Sequence, residues 1–216
     1  MTDSGLTPGL LLRAYAAGVF PMAEARDDPV LHWVDPPRRG VLPLQGFHMS
    51  RSLRRRLARA PWHATVDTAF AAVMEGCADR PETWINRPIF ETCCILHARG
   101  FAHSVEVWEG EDLVGGVYGV ALGAAFFAES MFSRRTDASK AALAWLVDRL
   151  RTGGFVLCDT QFLTPHLERL GGQEIARATY RLRLAEALGR HARFAGAPLP
   201  DAQSLLQRMS QTSNRG

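Results

Sequence analysis

Apolar residues recur at helical spacing in five stretches of this chain. The stretches begin after Thr7, Ser50, Asp67, Asn86 and Asp137. Thr, Ser, Asp and Asn are the residues that commonly cap the first turn of a helix, and glycine commonly ends one. The sequence therefore predicts helices that start at these five positions.

In the segments between the later helices, apolar residues either alternate with polar ones or form an unbroken run. Residues 103–108 alternate, and residues 113–120 and 124–130 are rich in Val, Tyr and Phe. Such segments predict three consecutive strands of an antiparallel meander. Residues 155–158 follow two glycines and are apolar on both faces, which predicts a buried central strand.

The remaining pattern is weaker and predicts small elements. Thr164 caps a short predicted helix, residues 180–188 are amphipathic and helical, and the polar tail from residue 203 to 216 is expected to fray. Together these elements predict an α+β fold with a mixed sheet. The diproline at Pro36 and Pro37 demands extended backbone, so we predict a small N-terminal subdomain over residues 1–36 and a main domain over 37–216.

Composition narrows the class of protein. Of the 216 residues, 47% are hydrophobic and 22% are charged, which is enough for a buried core. The net charge is only +3, from 25 basic and 22 acidic side chains, which excludes a polycation that coats nucleic acid by bulk attraction. Any contact with nucleic acid must come from a local patch.

Cysteine and histidine spacing excludes the common metal and disulfide frameworks. The four cysteines form no CxxC pair, and the seven histidines form no HExxH. Neither a metal site nor a secreted scaffold is therefore predicted. Residues 1–4 lack the basic segment of a signal peptide, and every apolar run is too short to span a bilayer. We expect a soluble, cytoplasmic protein without a membrane partner.

An acid and an amide follow the predicted central strand. Asp159 and Gln161 are two residues apart, and side chains at that spacing share a face of a strand. Loss of water there would raise the pKa of the carboxyl group toward that of a usable proton acceptor. The alternative is that Asp159 caps the following turn.

A second carboxylate ends a neighbouring strand. Glu129 follows the apolar segment 124–128, and two acids at adjacent strand ends would favour a cationic ligand. A solvated turn residue is the alternative. The glycine-rich segment 115–119 lacks the spacing of a nucleotide-binding loop, so it indicates either close approach of a ligand or chain segment, or a bulge.

Five arginines, and no acid, lie between residues 51 and 59, on a predicted helix whose Leu53 and Leu57 face inward. We call the exposed face of this helix the arginine ridge. Guanidinium groups pair well with phosphates, so the ridge is a candidate contact for a nucleic-acid backbone. A merely solvated helix face is the alternative.

Seven short motifs, in order along the chain, together resemble the signature of the leucyl/phenylalanyl-tRNA-protein transferases. The resemblance extends from about Leu10 to Leu184. The motifs are Phe20–Met22, Thr83–Ile85, His103–Trp108, Leu113–Gly119, Glu129–Ser133, Ala138–Lys140 and Asp159–Gln161.

The resemblance implies an activity and a fold. Enzymes of this family transfer Leu or Phe, and less readily Met, from aminoacyl-tRNA to the N-terminal amine of proteins that begin with Arg or Lys, which creates an N-degron. It implies a GNAT-like acyltransferase fold for the main domain. Because the aminoacyl ester is already activated, no ATP, metal or acyl-CoA is expected as a cofactor.

The resemblance also assigns roles to residues. It places catalysis at Asp159, Gln161 and Glu129. We assign Asp159 as the proton acceptor, with Gln161 orienting the amine and Glu129 helping to place the nucleophile or the polar groups of the substrate. The groups that bind the aminoacyl and adenosine moieties are Tyr15, Met22, Trp84, Val117, Phe126, Ser130 and Leu143. The groups that bind tRNA are Arg51, Arg55, Arg56 and Arg59.

Two other classes of protein fit part of the pattern. An acetyl-CoA-dependent N-acetyltransferase would share the fold class, but the chain has no clear R/Q-x-x-G-x-G/A loop before a helix, and Arg99-Gly100 is a weak substitute. A non-enzymatic RNA-binding module would explain the arginine ridge. It would leave Asp159, Gln161 and Glu129 without a purpose.

Overall fold

Seven strands form one mixed sheet at the centre of the computed structural model, which describes residues 5–213. Neighbouring strands are antiparallel except β7 and β8, which run parallel. A separate hairpin consists of β1 (Phe20–Met22) and β2 (His32–Val34). In spatial order the sheet contains β4 (Trp62–Val66), β5 (Ala102–Glu109), β6 (Asp112–Leu122), β7 (Ala125–Ser133), β8 (Leu157–Gln161), β3 (Arg38–Val41) and β9 (Gln173–Ala176).

Helices cover both faces of this sheet and bury a separate apolar cluster on each. On one face lie α2 (Arg51–Arg59), α5 (Ala138–Thr152) and α8 (Ala202–Ser213). On the other lie α1 (Pro8–Ala16), α3 (Phe70–Ala78), α4 (Arg87–Ala98) and α7 (Arg177–Leu188). The short α6 (Pro165–Arg169) follows β8, and a 3₁₀ turn (Leu44–Gly46) follows β3. The predicted α+β class with a mixed sheet is confirmed.

Most predicted helix starts are confirmed, because the expected side chains cap them. The side-chain oxygens of Thr7, Ser50, Asn86 and Thr164 each accept a hydrogen bond from a backbone N–H three residues later. The helix predicted after Asp67 begins instead at Phe70. Asp67 has a left-handed φ of 59°, and its carboxylate accepts from the backbone N–H of Ser104, so it holds a turn against β5.

The predicted meander is confirmed as β5, β6 and β7, and two glycines of β6 explain its shape. Opposite Tyr118 and Gly119 the register skips Glu129, so a bulge lies in β7, and a Cβ on Gly119 would lie 2.3 Å from the carbonyl oxygen of Phe127. A Cβ on Gly115 would lie 2.7 Å from that of Ala138 at the start of α5. The glycines thus serve both a bulge and the close approach of a chain segment.

The central strand lies two to three residues further along than predicted. Phe155 still bonds to the end of α5, through its N–H and the carbonyl of Leu150, and β8 runs from Leu157 to Gln161. Hydrophobicity alone therefore placed the strand too early. As a result Asp159 and Gln161 lie inside the strand and not after it.

The prediction of a frayed tail is wrong for residues 203–213, which belong to α8 (Ala202–Ser213). Leu205 and Met209 are four residues apart and are buried against α2 and α5, and Asp201 caps the helix by accepting from the N–H of Ser204. Residues 214–216, and the residues 1–4 on which the signal-peptide prediction rests, lie outside the described part. Within residues 5–213, none of the helices combines the length and hydrophobicity that a membrane span requires.

Candidate active site

The candidate site lies where the two parallel strands part. Pairing between β7 and β8 ends at Phe127 and Asp159, although both strands continue. Glu129 and Gln161 each lie two residues past the last pair. A cavity of about 480 Å³ opens at this split.

The cavity wall has an apolar part and a polar part. Its apolar lining consists of Phe20, Met22, Trp84, Val117, Ala128, Met131, Leu143, Phe162 and Leu167. Its polar lining consists of Arg80, Glu129, Ser130, Thr160, Gln161, Thr164 and His166. A mostly apolar cavity with a few convergent polar groups is the usual form of a small-molecule site.

Glu129 is held by two hydrogen bonds to a single oxygen. The Tyr15 hydroxyl donates to its Oε1 at 2.7 Å, and the Gln161 amide nitrogen donates to the same atom at 2.8 Å. Burial raises the pKa of Glu129 to about 8, against the effect of these hydrogen bonds. Among residues 5–213 no hydrogen bond reaches its Oε2, so this oxygen is available to a substrate.

Asp159 lies below the cavity wall in a buried ion pair with Arg39. The Arg39 guanidinium donates from Nε to Oδ1 at 2.9 Å and from Nη2 to Oδ2 at 2.7 Å, and the Tyr180 hydroxyl donates to Oδ2 at 2.7 Å. Arg39 and Asp159 are at most 1% exposed. Burial acts to lower the pKa of Arg39, but hydrogen bonds and charge from Asp159 outweigh it and raise the pKa. Arg39 therefore keeps its positive charge beside Asp159.

Arg39 is itself fixed on all sides. Its guanidinium lies between the rings of Phe20 and Tyr180, 4.5 and 4.6 Å from their centres, and Nη1 donates to the carbonyl of Gly18 at 2.9 Å. Burial, followed by the charge of Asp159, raises the pKa of Tyr180, so its hydroxyl remains a donor. The ion pair thus joins β3, β8, α7 and the end of α1.

A backbone turn at Gln161 separates the amide from the acid. Gln161 has a left-handed φ of 58°, and its N–H donates to Asp159 Oδ1 at 2.8 Å. The expected shared face is therefore absent, and only the Gln161 side chain reaches Glu129. A Cβ on Gly40, which faces Gln161 from β3, would lie 2.5 Å from the carbonyl carbon of Phe162, so glycine leaves room for this turn.

The structure brings seven of the ten predicted catalytic and substrate-binding residues to one cavity and leaves three out of its lining. Those in the lining are Met22, Trp84, Val117, Glu129, Ser130, Leu143 and Gln161. Asp159 and Tyr15 lie behind the wall and reach it only through Gln161 and Glu129. Phe126 is fully buried and stacks on Phe194, 5.3 Å between ring centres, in the core beneath α5.

Sequence reasoning missed the residues that support this site. Arg39 follows Arg38 in the sequence, and Arg38 is more than half exposed and pairs with Glu174. No periodicity distinguishes the two arginines. Tyr180 was predicted only as a helical residue. The lining residues that were not predicted are Phe20, Arg80, Ala128, Met131, Thr160, Phe162, Thr164, His166 and Leu167.

The arginine ridge borders a second, polar cavity of about 700 Å³. Arg55, Arg56 and Arg59 line it, whereas Arg51 is exposed one turn earlier on α2. Arg135, from the turn after β7, lines the opposite side and pairs with Glu109 at 3.2 Å. The four predicted tRNA-binding arginines are thus all exposed on one helix.

Possible metal ligands come together elsewhere. Among residues 5–213, the side chains close enough to share one ion are Glu24, Asp28 and His32, in the hairpin segment. Glu24 and His32 are exposed, and none of the three lines the 480 Å³ cavity.

Comparison with known proteins gives a family. Residues 41–185 match the leucyl/phenylalanyl-tRNA protein transferase family, and residues 5–37 match the N-terminal domain of that transferase. A leucyl/phenylalanyl-tRNA–protein transferase from Cereibacter sphaeroides is 64% identical over 214 residues, which cover 99% of this chain and 100% of that protein. One from a Ruegeria species is 64% identical over 208 residues, or 96% of this chain and 99% of that protein.

Among solved structures, the L-PGS from Bacillus licheniformis overlaps 72% of this chain and 66% of its own, with 11% identity and a TM-score of 0.44. A likeness this low supports no conclusion about the chain. The family matches extend over most of its length, and the relatives match it from end to end. The chain therefore belongs to the leucyl/phenylalanyl-tRNA protein transferase family.

Proposed function

We propose that this protein is an aminoacyltransferase that moves Leu, Phe and, less readily, Met from aminoacyl-tRNA to the N-terminal amine of proteins that begin with Arg or Lys. The product is an N-degron that marks the protein for degradation. Family membership supports the reaction. The observation that carries the assignment to this cavity is the hydrogen bond between Gln161 and Glu129, 2.8 Å long, at the split between β7 and β8.

The reaction needs an amine that loses a proton as it attacks the ester carbonyl. A C–N bond forms, the ester C–O bond breaks, and the terminal ribose oxygen leaves with a proton. An α-amine has an ordinary pKa of about 7.7 to 8.0, and the pKa of Glu129 is about 8. Such a match suits proton transfer near neutral pH. We therefore assign the proton acceptor to Glu129 and its unpartnered Oε2.

Asp159, the proton acceptor in the sequence-based prediction, receives a different role in this proposal. Its oxygens accept from Arg39, Tyr180 and the Gln161 N–H, so it has little capacity for a substrate proton. We assign Asp159 as a positioning residue that fixes Gln161. One hydrogen of the Gln161 amide is given to Glu129, and the other can be given to the ester carbonyl as negative charge develops there.

The apolar lining is assigned to the transferred side chain and to the adenine ring. Val117, Met131, Leu143 and Leu167 offer a surface without charge for Leu, Phe or Met. Such a pocket separates similar hydrophobes poorly, since one methylene is worth about 1 to 3 kcal/mol. Trp84 supplies an aromatic face for the terminal adenine.

Three further proposals concern the fold, the N-terminal subdomain and the cellular location. We propose a GNAT-like acyltransferase fold over residues 37–216, supported by the parallel pair β7 and β8 that parts at the site. We propose residues 1–36 as an N-terminal subdomain, supported by a hairpin that is separate from the main sheet. Four unpaired cysteines support a cytoplasmic location.

One assay tests the function directly. The protein is incubated with leucyl-tRNA and an Arg-initiated peptide, without nucleotides or metals, and the Leu-extended peptide is sought by mass spectrometry. A parallel reaction supplies acetyl-CoA in place of the tRNA. We expect Leu transfer and no acetylation. Acetylated peptide without Leu transfer would favour the N-acetyltransferase, and tRNA binding without either product would favour the RNA-binding module.

The arginine ridge is expected to bind tRNA through phosphates. Replacing Arg51, Arg55 and Arg59 with alanine removes three exposed positive charges from one face of α2. Each lost phosphate contact reduces the slope of log affinity against log salt by about 0.7 to 0.9. We expect weaker tRNA binding with a flatter salt dependence, and a much smaller effect on transfer from a leucyl ester of adenosine. Equal losses with both donors would contradict this division of roles.

A further inference from the structure

Arg80 lies at the rim of the cavity, where the guanidinium is fixed by two neighbours. It follows α3 by two residues, and its side chain is exposed. Nε donates to the carbonyl of Cys77 at 2.7 Å, and Nη2 donates to the hydroxyl of Ser130 at 2.6 Å. Ser130 adjoins Glu129, and Trp84 follows in the same segment, so Arg80 joins the catalytic and adenine-facing parts of the lining.

Arg80 supplies the positive charge of this cavity. Among the lining residues it is the one Arg or Lys. His166, the other basic lining residue, has a pKa lowered by burial and by the charges of Lys140 and Arg169, so it is neutral at pH 7. The field at the rim therefore favours an anion near Trp84.

The two substrates differ in the charge they would bring to this rim. The acceptor begins with Arg or Lys, and a fixed guanidinium would repel its side chain. The donor ends in a nucleotide whose phosphate is an anion, and a guanidinium suits phosphate better than an ammonium does because its donors form a planar fork. Of the five N–H donors of a guanidinium, two are used on the protein, which leaves three for a ligand.

We propose that Arg80 binds the 5′-phosphate of the terminal adenosine, and thereby positions the aminoacyl ester against Glu129 and Gln161. This inference rests on the proposed transferase function. It gives the cavity a nucleotide side at Arg80 and Trp84. The acceptor then enters from the remainder of the opening, away from this positive charge.

The test compares two minimal donors that differ by one phosphate. One is the leucyl ester of adenosine, and the other is the same ester carrying a 5′-phosphate. Transfer to an Arg-initiated peptide is measured as kcat/KM with the unmodified protein, Arg80→Gln and Arg80→Lys. Arg26→Gln is the matched control, because Arg26 also donates to a carbonyl at the end of α3, that of Ala78, but does not line the cavity.

We expect the unmodified protein and Arg26→Gln to prefer the phosphorylated donor by about tenfold, the lower end of the range for one charge-assisted hydrogen bond. Arg80→Gln should reduce this ratio to about one, and Arg80→Lys should keep part of it. If Arg80→Gln retains the full ratio, or the unmodified protein shows no preference, the inference is wrong. Failure of the proposed function differs, because then no Leu is transferred even from intact leucyl-tRNA.

Discussion

Replacing Arg39 with methionine is expected to lower the free energy of unfolding by about 3 to 5 kcal/mol, the usual cost of removing one partner of a buried ion pair. Asp159 is fully buried and would keep only the Tyr180 hydroxyl and the Gln161 N–H as donors. The contact of the guanidinium with Gly18 would also be lost. Urea denaturation at pH 7, followed by circular dichroism, measures the difference.

Two further variants identify the origin of this loss. Arg38→Met removes the neighbouring arginine, which is exposed and paired with Glu174, and should change stability by less than about 0.5 kcal/mol. Combining Arg39→Met with Asp159→Asn removes the negative charge of Asp159, which Arg39→Met alone leaves without its partner, and should recover part of the stability. If Arg39→Met were as mild as Arg38→Met, the ion pair would not be the support of the site that its geometry indicates.

Transfer should fall in Arg39→Met even where the protein remains folded. The guanidinium fixes Asp159, Asp159 fixes the backbone of Gln161, and Gln161 places its amide against Glu129. A displacement of about 1 Å at a reacting group can cost on the order of a hundredfold in rate. We therefore expect kcat to fall more than the affinity for tRNA, since the arginine ridge lies on a separate helix.

Local signals predicted most of the helices, although not α8, and predicted the shorter strands poorly. Caps such as Thr7, Ser50 and Asn86 act within three residues, so the sequence shows them directly. β3, β4 and β9 have four or five residues each and were not predicted. In β3, two arginines and a glycine precede Val41, a composition with little strand preference. Their conformation depends on hydrogen bonds to β8 and β9.

The site was predictable for residues that carry a functional group and lie beside a predicted strand. Glu129 and Gln161 carry functional groups beside predicted strands, and both line the cavity, although Glu129 lies within β7 and not at its end as predicted. Arg39 lies 120 residues before Asp159, and nothing local to either shows that they pair. Tyr15 lies 114 residues before Glu129. Contacts between residues so far apart in the sequence decide which acid forms an ion pair and which has a raised pKa. They can be identified only once the fold is known.

Glu129→Gln is expected to lower kcat/KM by about a hundredfold to ten-thousandfold, the usual contribution of a general base. The amide keeps the size of the side chain but cannot accept the proton. In the unmodified protein the rate should rise with pH up to about 8, as Glu129 becomes ionised. In the variant that dependence on Glu129 disappears, and only the ionisation of the acceptor amine remains. Single-turnover transfer from leucyl-tRNA between pH 6 and 9 measures both profiles.

Tyr15→Phe distinguishes the carboxyl group from the amine as the source of the pH profile. The Tyr15 hydroxyl donates to Glu129 and lowers its pKa, so its removal should move the rise in rate to higher pH. The pKa of the acceptor amine is unaffected by this change. A profile identical to that of the unmodified protein would contradict the assignment of Glu129 as the base.

Stability should respond to Glu129→Gln in the opposite direction from activity. Because the folded protein raises the pKa of Glu129 from 4.5 to about 8, this group's contribution to stability is fully present below pH 4.5 and is lost as the pH rises to about 8. The glutamine variant has no such loss. The Glu129 side chain lines the cavity, where solvent reduces the effect of its charge. We therefore expect the glutamine variant to be more stable than the unmodified protein by about 2 kcal/mol at pH 9, and nearly as stable as that protein at pH 5. A variant that was less stable than the unmodified protein at pH 9 would mean that the folded protein does not raise the pKa of Glu129, which would contradict its assignment as a base with a pKa near that of the amine.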